Sequence, residues 1–340
     1  MRKLLNILYV TTPESYLSKD GENVVVSVKQ EERFRIPIIN IEGIVTFGYM
    51  GASPGLMKLC ADNGVSLSFL SPNGRFIGHL QGPVHGNVLL RKKQYQINDD
   101  NERSLHFAQL FVAGKIQNYR TILQRFIRDN GNSLEITSAV KTLEKNKQLA
   151  LKSCDIPSLM GIEGDAANSY FEVFPILLLH QKEGFPFHGR NRRPPRDAIN
   201  AMLSFVYALL ANETAAALES VGLDPYVGFL HALRPGRTSL ALDLMEELRA
   251  YLGDRLVLSL INRKQVSPKD FIIQGESGVV MSDSCRKTML SAWQSRKKET
   301  IVHPFLEEKI PIGLLPYVQA LLLARTIRGD IDDYPVFLIR

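Results

Sequence analysis

Cysteine is scarce in this chain: Cys60, Cys154 and Cys285 stand far apart among 340 residues. An odd number at that spacing argues against a disulfide framework or a cysteine zinc site and suits reduced thiols in a cytoplasmic protein. Long apolar runs are missing too. No stretch reaches the roughly 18 uninterrupted apolar residues of a membrane span. The opening Met1–Val10 segment is too short an apolar run for a secretory leader, has no small-residue cleavage site, and reads better as a first strand. There is no Walker-type glycine loop, no internal repeat and no low-complexity tract. Neither sign of charge dominates. The 41 Lys and Arg against 35 Asp and Glu leave a net charge of +6, a moderate excess that favours a polyanionic partner.

What is present divides into two compositions, an α+β layout of a small N-terminal β-rich domain followed by a larger all-α domain. Residues 1–90 carry strand signals: a hairpin turn at Asp20-Gly21 before Val24–Val28, further strands at Phe34–Ile39, Gly43–Phe47, Val65–Leu70 and Phe76–Leu80, and a turn at Asn73-Gly74. One short helix, opened by Ser53-Pro54 and closed by Asn63-Gly64, interrupts them. Residues 91–104, with Arg91-Lys92-Lys93 and Asn98–Asn101, read as a linker. From Leu105 onward apolar residues recur at helical spacing, giving helices near 105–129, 134–151, 166–180, 198–220, 239–261 and 314–327.

Three polar stretches in the helical part carry the candidate chemistry. The first runs from Gly222 to Arg249. His231 lies on a short piece that Asp224 and Pro225 would open as a helix, and a second helix begins near Ser239. On that helix Asp243 and Glu246 are three apart and share a face, while Leu240, Leu244, Leu248 and Leu252 form the buried stripe. An imidazole and two carboxylates at such a bend suit a divalent cation; a solvated acidic face beside a core histidine is the alternative. The second stretch, Gly161–Phe171, sets Glu163 between two glycines at an expected helix start. Its small residues suit either helix packing or close approach of a phosphate. The third places Arg190, Arg192, Arg193 and Arg196 within seven positions on a proline-stiffened loop, where guanidinium forks would meet phosphate oxygens or simply face water. The other histidines, His79, His85, His106, His180, His188 and His303, read as structural or surface residues.

Taken together, Gly161–Phe171, Arg192–Tyr207, Gly222–His231 and Ser239–Arg249 resemble the CRISPR-associated adaptation integrase, the universal Cas endonuclease of spacer acquisition. The closing Arg328–Pro335 resembles its type I-C branch. The resemblance covers nearly the whole chain. It implies a metal centre of Glu163, His231 and Glu246, with Asp243 as an accessory acid one turn earlier, occupied by Mg²⁺ or Mn²⁺. It also places Arg234 and Arg249 near basic positions of the site. The implied activity is insertion of new spacer DNA into a CRISPR array, by attack of a 3′-hydroxyl on a phosphodiester. The implied partners are double-stranded DNA (protospacer and CRISPR repeat), a second copy docked through the β domain, and the second Cas adaptation protein. A non-catalytic nucleic-acid-binding scaffold with a structural metal is the competing expectation, and activity that survives EDTA would favour it.

Overall fold

The computed structural model describes residues 7–48, 50–71, 76–80, 88–191, 194–275 and 278–339. The Asn73-Gly74 turn therefore lies outside the described residues, as do Arg192, Arg193 and His85. The chain forms two compact units, Met1–His85 and Gly86–Arg340.

Among the described residues, the first unit is built on two four-stranded sheets and one α-helix. In one sheet β1 (Ile7–Val10), β5 (Gly43–Phe47) and β7 (Ser66–Leu70) run parallel, and β8 (Phe76–Leu80) pairs antiparallel with β7. In the other the order is β4 (Glu31–Pro37), β3 (Asn23–Val28), β2 (Ser15–Asp20), β6 (Gly51–Ala52). The hairpin closes as the sequence suggests, with Asp20 opposite Asn23 and Gly21 at a φ of 57°. Helix α1 (Pro54–Asn63) starts on a Ser53 cap and ends at the left-handed Gly64. Its Leu56, Leu59 and Cys60 join Leu17, Val24, Ile44 and Leu67 in one core. Burial pushes the Cys60 thiol up to about 11, so it stays protonated and inert at neutral pH.

The second unit is mostly helical. Its helices are α2 (Val88–Asp99), α3 (Asn101–Asn130), α4 (Leu134–Ala150), α5 (Ile156–Val173), α6 (Ala198–Ser220), α7 (Ser239–Leu248), α8 (Arg255–Asn262), α9 (Asp283–Lys298) and α10 (Leu315–Arg328). The expected linker at 91–104 is instead helix. Asp100, read as part of a polar spacer, caps α3 by accepting from the N–H groups of Glu102 and Arg103. Gln94 of α2 is buried and donates to the Asp224 and Val227 carbonyls, so α2 is anchored within the unit. The unit is also not purely α. Short antiparallel ribbons pair β9 (Phe271–Ile273) with β10 (Val279–Met281), and β11 (Thr300–Val302) with β12 (Lys309–Pro311). Helix α9 went unforeseen because its face is largely polar, although its Ser282 cap is a recognisable start signal.

Helix α5 begins ten residues earlier than its sequence suggests, on an Asp155 cap with Pro157 in its first turn, so Glu163 sits mid-helix and not at a helix start. Helix α6 is long and apolar enough to cross a membrane by length and composition, yet most of its apolar window is buried, against α7 and α10 among others. Between α7 and α8 the helix continues as a π-helical turn over Arg249–Asp254, a geometry that often accompanies functional sites. The predicted stripe of Leu240, Leu244, Leu248 and Leu252 is buried throughout.

Candidate active site

His231 is not on a helix; residues 223–238 form turns and bends. Asp224 accepts from the Tyr226 N–H, which makes a local turn and no helix cap. What fixes His231 is Asp243. Its carboxylate is completely buried and accepts from three consecutive backbone N–H groups: Phe229 (2.6 Å), Leu230 (3.0 Å) and His231 (3.0 Å). The His231 ring nitrogen Nδ1 lies 2.6 Å from the same carboxylate. A carboxylate only accepts, so the proton belongs on Nδ1 and Nε2 keeps its lone pair. Gly228 makes the bend possible, since a Cβ there would fall 2.5 Å from Asp243 Oδ2 and 2.7 Å from the Ser239 backbone. Asp243 therefore shapes the loop and orients the imidazole, the role of a partner that fixes tautomer and ring direction.

Glu246 looks out from the next turn of α7 into a different environment. Lys115 of α3, only 3% exposed at its side chain, reaches its Oε2 at 2.7 Å, and Arg249 reaches its Oε1 at 3.0 Å. The same Lys115 ammonium donates to Glu163 Oε1 on α5. One buried cation thus joins the two carboxylates singled out from sequence. Burial by itself would raise the Glu246 pKa, but Arg249, Lys115 and His231 outweigh it and hold the carboxyl at about 2. Glu246 is consequently ionised at every working pH.

A layer of aromatics lies around this cluster. Tyr119 stacks on Tyr170 with centroids 3.8 Å apart, and Lys115 Nζ lies 5.7 Å from the Tyr119 ring. Tyr207 is flanked by the guanidiniums of Arg190 (5.4 Å) and Arg249 (5.1 Å). Its hydroxyl donates to Asp254, whose pKa burial lifts to about 6 against the opposing effect of those hydrogen bonds and arginines. Gly253 on the π turn leaves room for this ring, since a Cβ would fall 2.8 Å from it. Tyr170 is fully buried in this layer.

The arginines divide. Arg190 turns inward, donating to Asn200 (2.7 Å) and Ser204 (3.1 Å), because the first two turns of α6 offer those acceptors. Arg249 is likewise committed to Glu246 and Tyr207. Neither is presented as a surface phosphate contact. Arg196 and Arg234 are exposed. The Pro194–Arg196 segment is held from behind by the Val279 N–H donating to the Pro195 carbonyl at 2.8 Å.

Among the described residues, no three His, Cys, Asp or Glu side chains stand as a ready-made metal cage. The donor set nevertheless suits a hard divalent ion. Among the described residues, Glu246 Oε2 is buried without a well-directed hydrogen-bond donor, and the ammonium that also serves Glu163 lies 2.7 Å from it. Two carboxylates, and an imidazole whose Nδ1 is already engaged, match oxygen-rich coordination with one nitrogen. A Cβ added at Gly161 or Gly164 would meet nothing within 4 Å, so these glycines do not serve helix packing.

Lys115 and Asp254 were not foreseen. Lys115 had a sequence signal, since it falls on the buried stripe of α3 between Phe111 and Tyr119, where a charge needs a partner. Asp254 had none.

Comparison with known proteins bears on family and fold. The family model described as CRISPR associated protein Cas1 matches residues 8–295. The chain is 50% identical to the CRISPR-associated endonuclease Cas1 1 of Chlorobaculum tepidum and 47% identical to the CRISPR-associated endonuclease Cas1 2 of Rhodospirillum rubrum. These matches cover all of both chains in the first case and 98% of each in the second. In fold it resembles a casposase bound to integration product (TM-score 0.84, 23% identity, 98% of this chain and 93% of that one). It also resembles a chain of a Cas6-RT-Cas1–Cas2 complex (TM-score 0.83, 21% identity, 99% of this chain and 36% of that one).

Proposed function

The chain belongs to the CRISPR-associated protein Cas1 family of nucleases, and on that premise we propose that it is a divalent-metal-dependent DNA endonuclease and integrase that inserts spacer DNA into a CRISPR array. The observation that carries this reading is the meeting of Glu163 and Glu246, from two separate helices, on one buried cation.

Glu163, Glu246 and His231 would hold Mg²⁺ or Mn²⁺. Such an ion lowers the charge of a phosphodiester and stabilises the pentacovalent transition state. The protein's own contribution is positional. Asp243 keeps the proton of His231 on Nδ1, so the lone pair of Nε2 is available. Arg249 and Lys115 keep Glu246 ionised. Tyr207, braced by Asp254, holds Arg249 in place. The exposed Arg196 and Arg234 would take DNA backbone phosphates. In strand transfer a 3′-hydroxyl oxygen bonds to phosphorus while the target's P–O bond breaks, and the departing oxygen takes up a proton. One phosphodiester replaces another, so no nucleotide hydrolysis is needed. With water as nucleophile the same site cleaves.

Assembly is part of the proposal. The edge strand β4 exposes Phe34, and Ile39 follows it at 76% exposure, which supports docking of a second copy through the first unit. The named Cas1–Cas2 complex supports a small Cas adaptation partner. The deciding experiment joins labelled DNA ends to a repeat-containing plasmid in Mn²⁺. Glu163→Ala and His231→Ala should reduce joining at least about a thousandfold while DNA retention persists. His231→Ala joining at the wild-type rate would refute the site, and joining that survives EDTA would favour the scaffold alternative.

A further inference from the structure

We propose that Lys115 is a built-in stand-in for the divalent cation: its ammonium holds Glu163 and Glu246 together until a metal ion displaces it. The inference deepens the metal-centre reading above and rests on it. Its basis is position. Lys115 comes from α3, Glu163 from α5 and Glu246 from α7, and the ammonium contacts one oxygen of each carboxylate. A metal bonded to both carboxylates would have to occupy the same gap, since cation–oxygen bonds are shorter than ammonium contacts. Both cations cannot sit there, because two positive charges at such range in a buried site repel strongly.

Burial explains why a stand-in is needed. The side chain of Glu246 is 3% exposed and that of Lys115 is 3% exposed. Without a bridging cation, two carboxylates from different helices would face each other, and α5 and α7 would be pushed apart. Lys115 can also move, since its long unbranched stem has several rotamers. A lysine suits this task better than arginine, whose planar fork would grip both carboxylates and release them less readily.

The test is Mn²⁺ binding, read by calorimetry and by electron paramagnetic resonance of the free ion, on the full-length wild type and Lys115→Met. Methionine keeps the length and removes the charge. With the competitor gone, Lys115→Met should bind one Mn²⁺ at least roughly tenfold more tightly than wild type. Without metal it should melt lower than wild type, and saturating Mn²⁺ should raise its Tm by more than it raises that of wild type. A lysine that only packs would lower the melting point but leave the Mn²⁺ affinity unchanged or weaker, and that result overturns the proposal. If Lys115→Met is recovered unfolded without metal, refolding in Mn²⁺ must restore its helical circular dichroism; no better refolding in Mn²⁺ overturns the proposal as well. A wild type that binds no Mn²⁺ would instead bring down the metal-centre reading itself, and the stand-in with it.

Discussion

Glu246 and Glu247 are neighbours on α7, both buried, and they end in opposite electrostatic states. Glu246 faces Lys115, Arg249 and His231 and is held at about 2. Glu247 points to the other side, where Tyr334 and Gln319 (2.9 Å) and the Phe337 N–H (2.6 Å) donate to it, all of them neutral. Burial there outweighs the hydrogen bonds and lifts its pKa to about 7. The same helix therefore offers a permanently charged carboxylate on one face and, on the other, one that titrates near neutral pH. The difference lies in formal charge, not in burial or in hydrogen-bond count. A carboxylate surrounded by cations is suited to exchanging one of them for a metal ion, whereas one surrounded by neutral donors holds structure. Here Glu247 fastens the C-terminal segment, with Asn118 donating to the Phe337 carbonyl and accepting from the Ile339 N–H.

The largest effect should separate the two neighbours. Glu246→Gln should abolish DNA joining and, by leaving buried cations underpaired, cost about 3–5 kcal/mol of stability in denaturant unfolding. Glu247→Gln should leave joining within a few-fold of wild type; equal loss of joining in both would break the comparison. Asp243→Asn comes next. The amide oxygen can still accept from Phe229 and Leu230. The NH2 that then faces His231 accepts neither its backbone N–H nor Nδ1–H and no longer fixes the imidazole tautomer, so joining should fall by roughly ten- to a hundredfold. Measuring Mn²⁺ affinity beside joining separates this from a loss of fold.

The two glutamates should also give opposite pH slopes of stability. Between about 4.5 and 7 the folded protein keeps the Glu247 proton that the unfolded chain has released. Stability therefore falls as pH rises through that window, by about 3 kcal/mol. Glu246 behaves in the reverse sense: the unfolded chain takes up its proton first, so its contribution is present above about 4.5 and is lost as pH falls toward about 2. Unfolding free energies across pH for each Gln variant should lose one slope and keep the other. The smallest effect belongs to the surface. Arg196→Ala should weaken DNA binding modestly and reduce the salt slope by about one counterion, as a filter-binding series at several salt concentrations would register.

Much of the site was legible in the sequence. Glu163, His231, Asp243 and Glu246 stood out because acids and an imidazole sit beside helix punctuation. The buried Leu240–Leu252 stripe and the Ser53–Gly64 helix followed from spacing and caps. Other parts were hidden for physical reasons. Asp100 and its neighbours read as linker because capping residues and spacer residues share a composition. Gly161 and Gly164 suggested a helix start, but α5 absorbs both, at a cost of roughly 1 kcal/mol each. Arg190 read as a surface fork, and only tertiary contact with Asn200, Ser204 and Tyr207 turns it inward. Lys115 showed only as a charge on a buried stripe, since the carboxylates that pair with it lie 48 and 131 positions away, and Asp254 gave no signal at all.

A crystal soaked in Mn²⁺, with its anomalous scattering mapped, bears most directly on the whole account. The expected density is one peak bonded to Glu163, Glu246 and His231, with the Lys115 ammonium moved out of the gap between the carboxylates. Density elsewhere, with Lys115 still seated between Glu163 and Glu246 at saturating manganese, would contradict it.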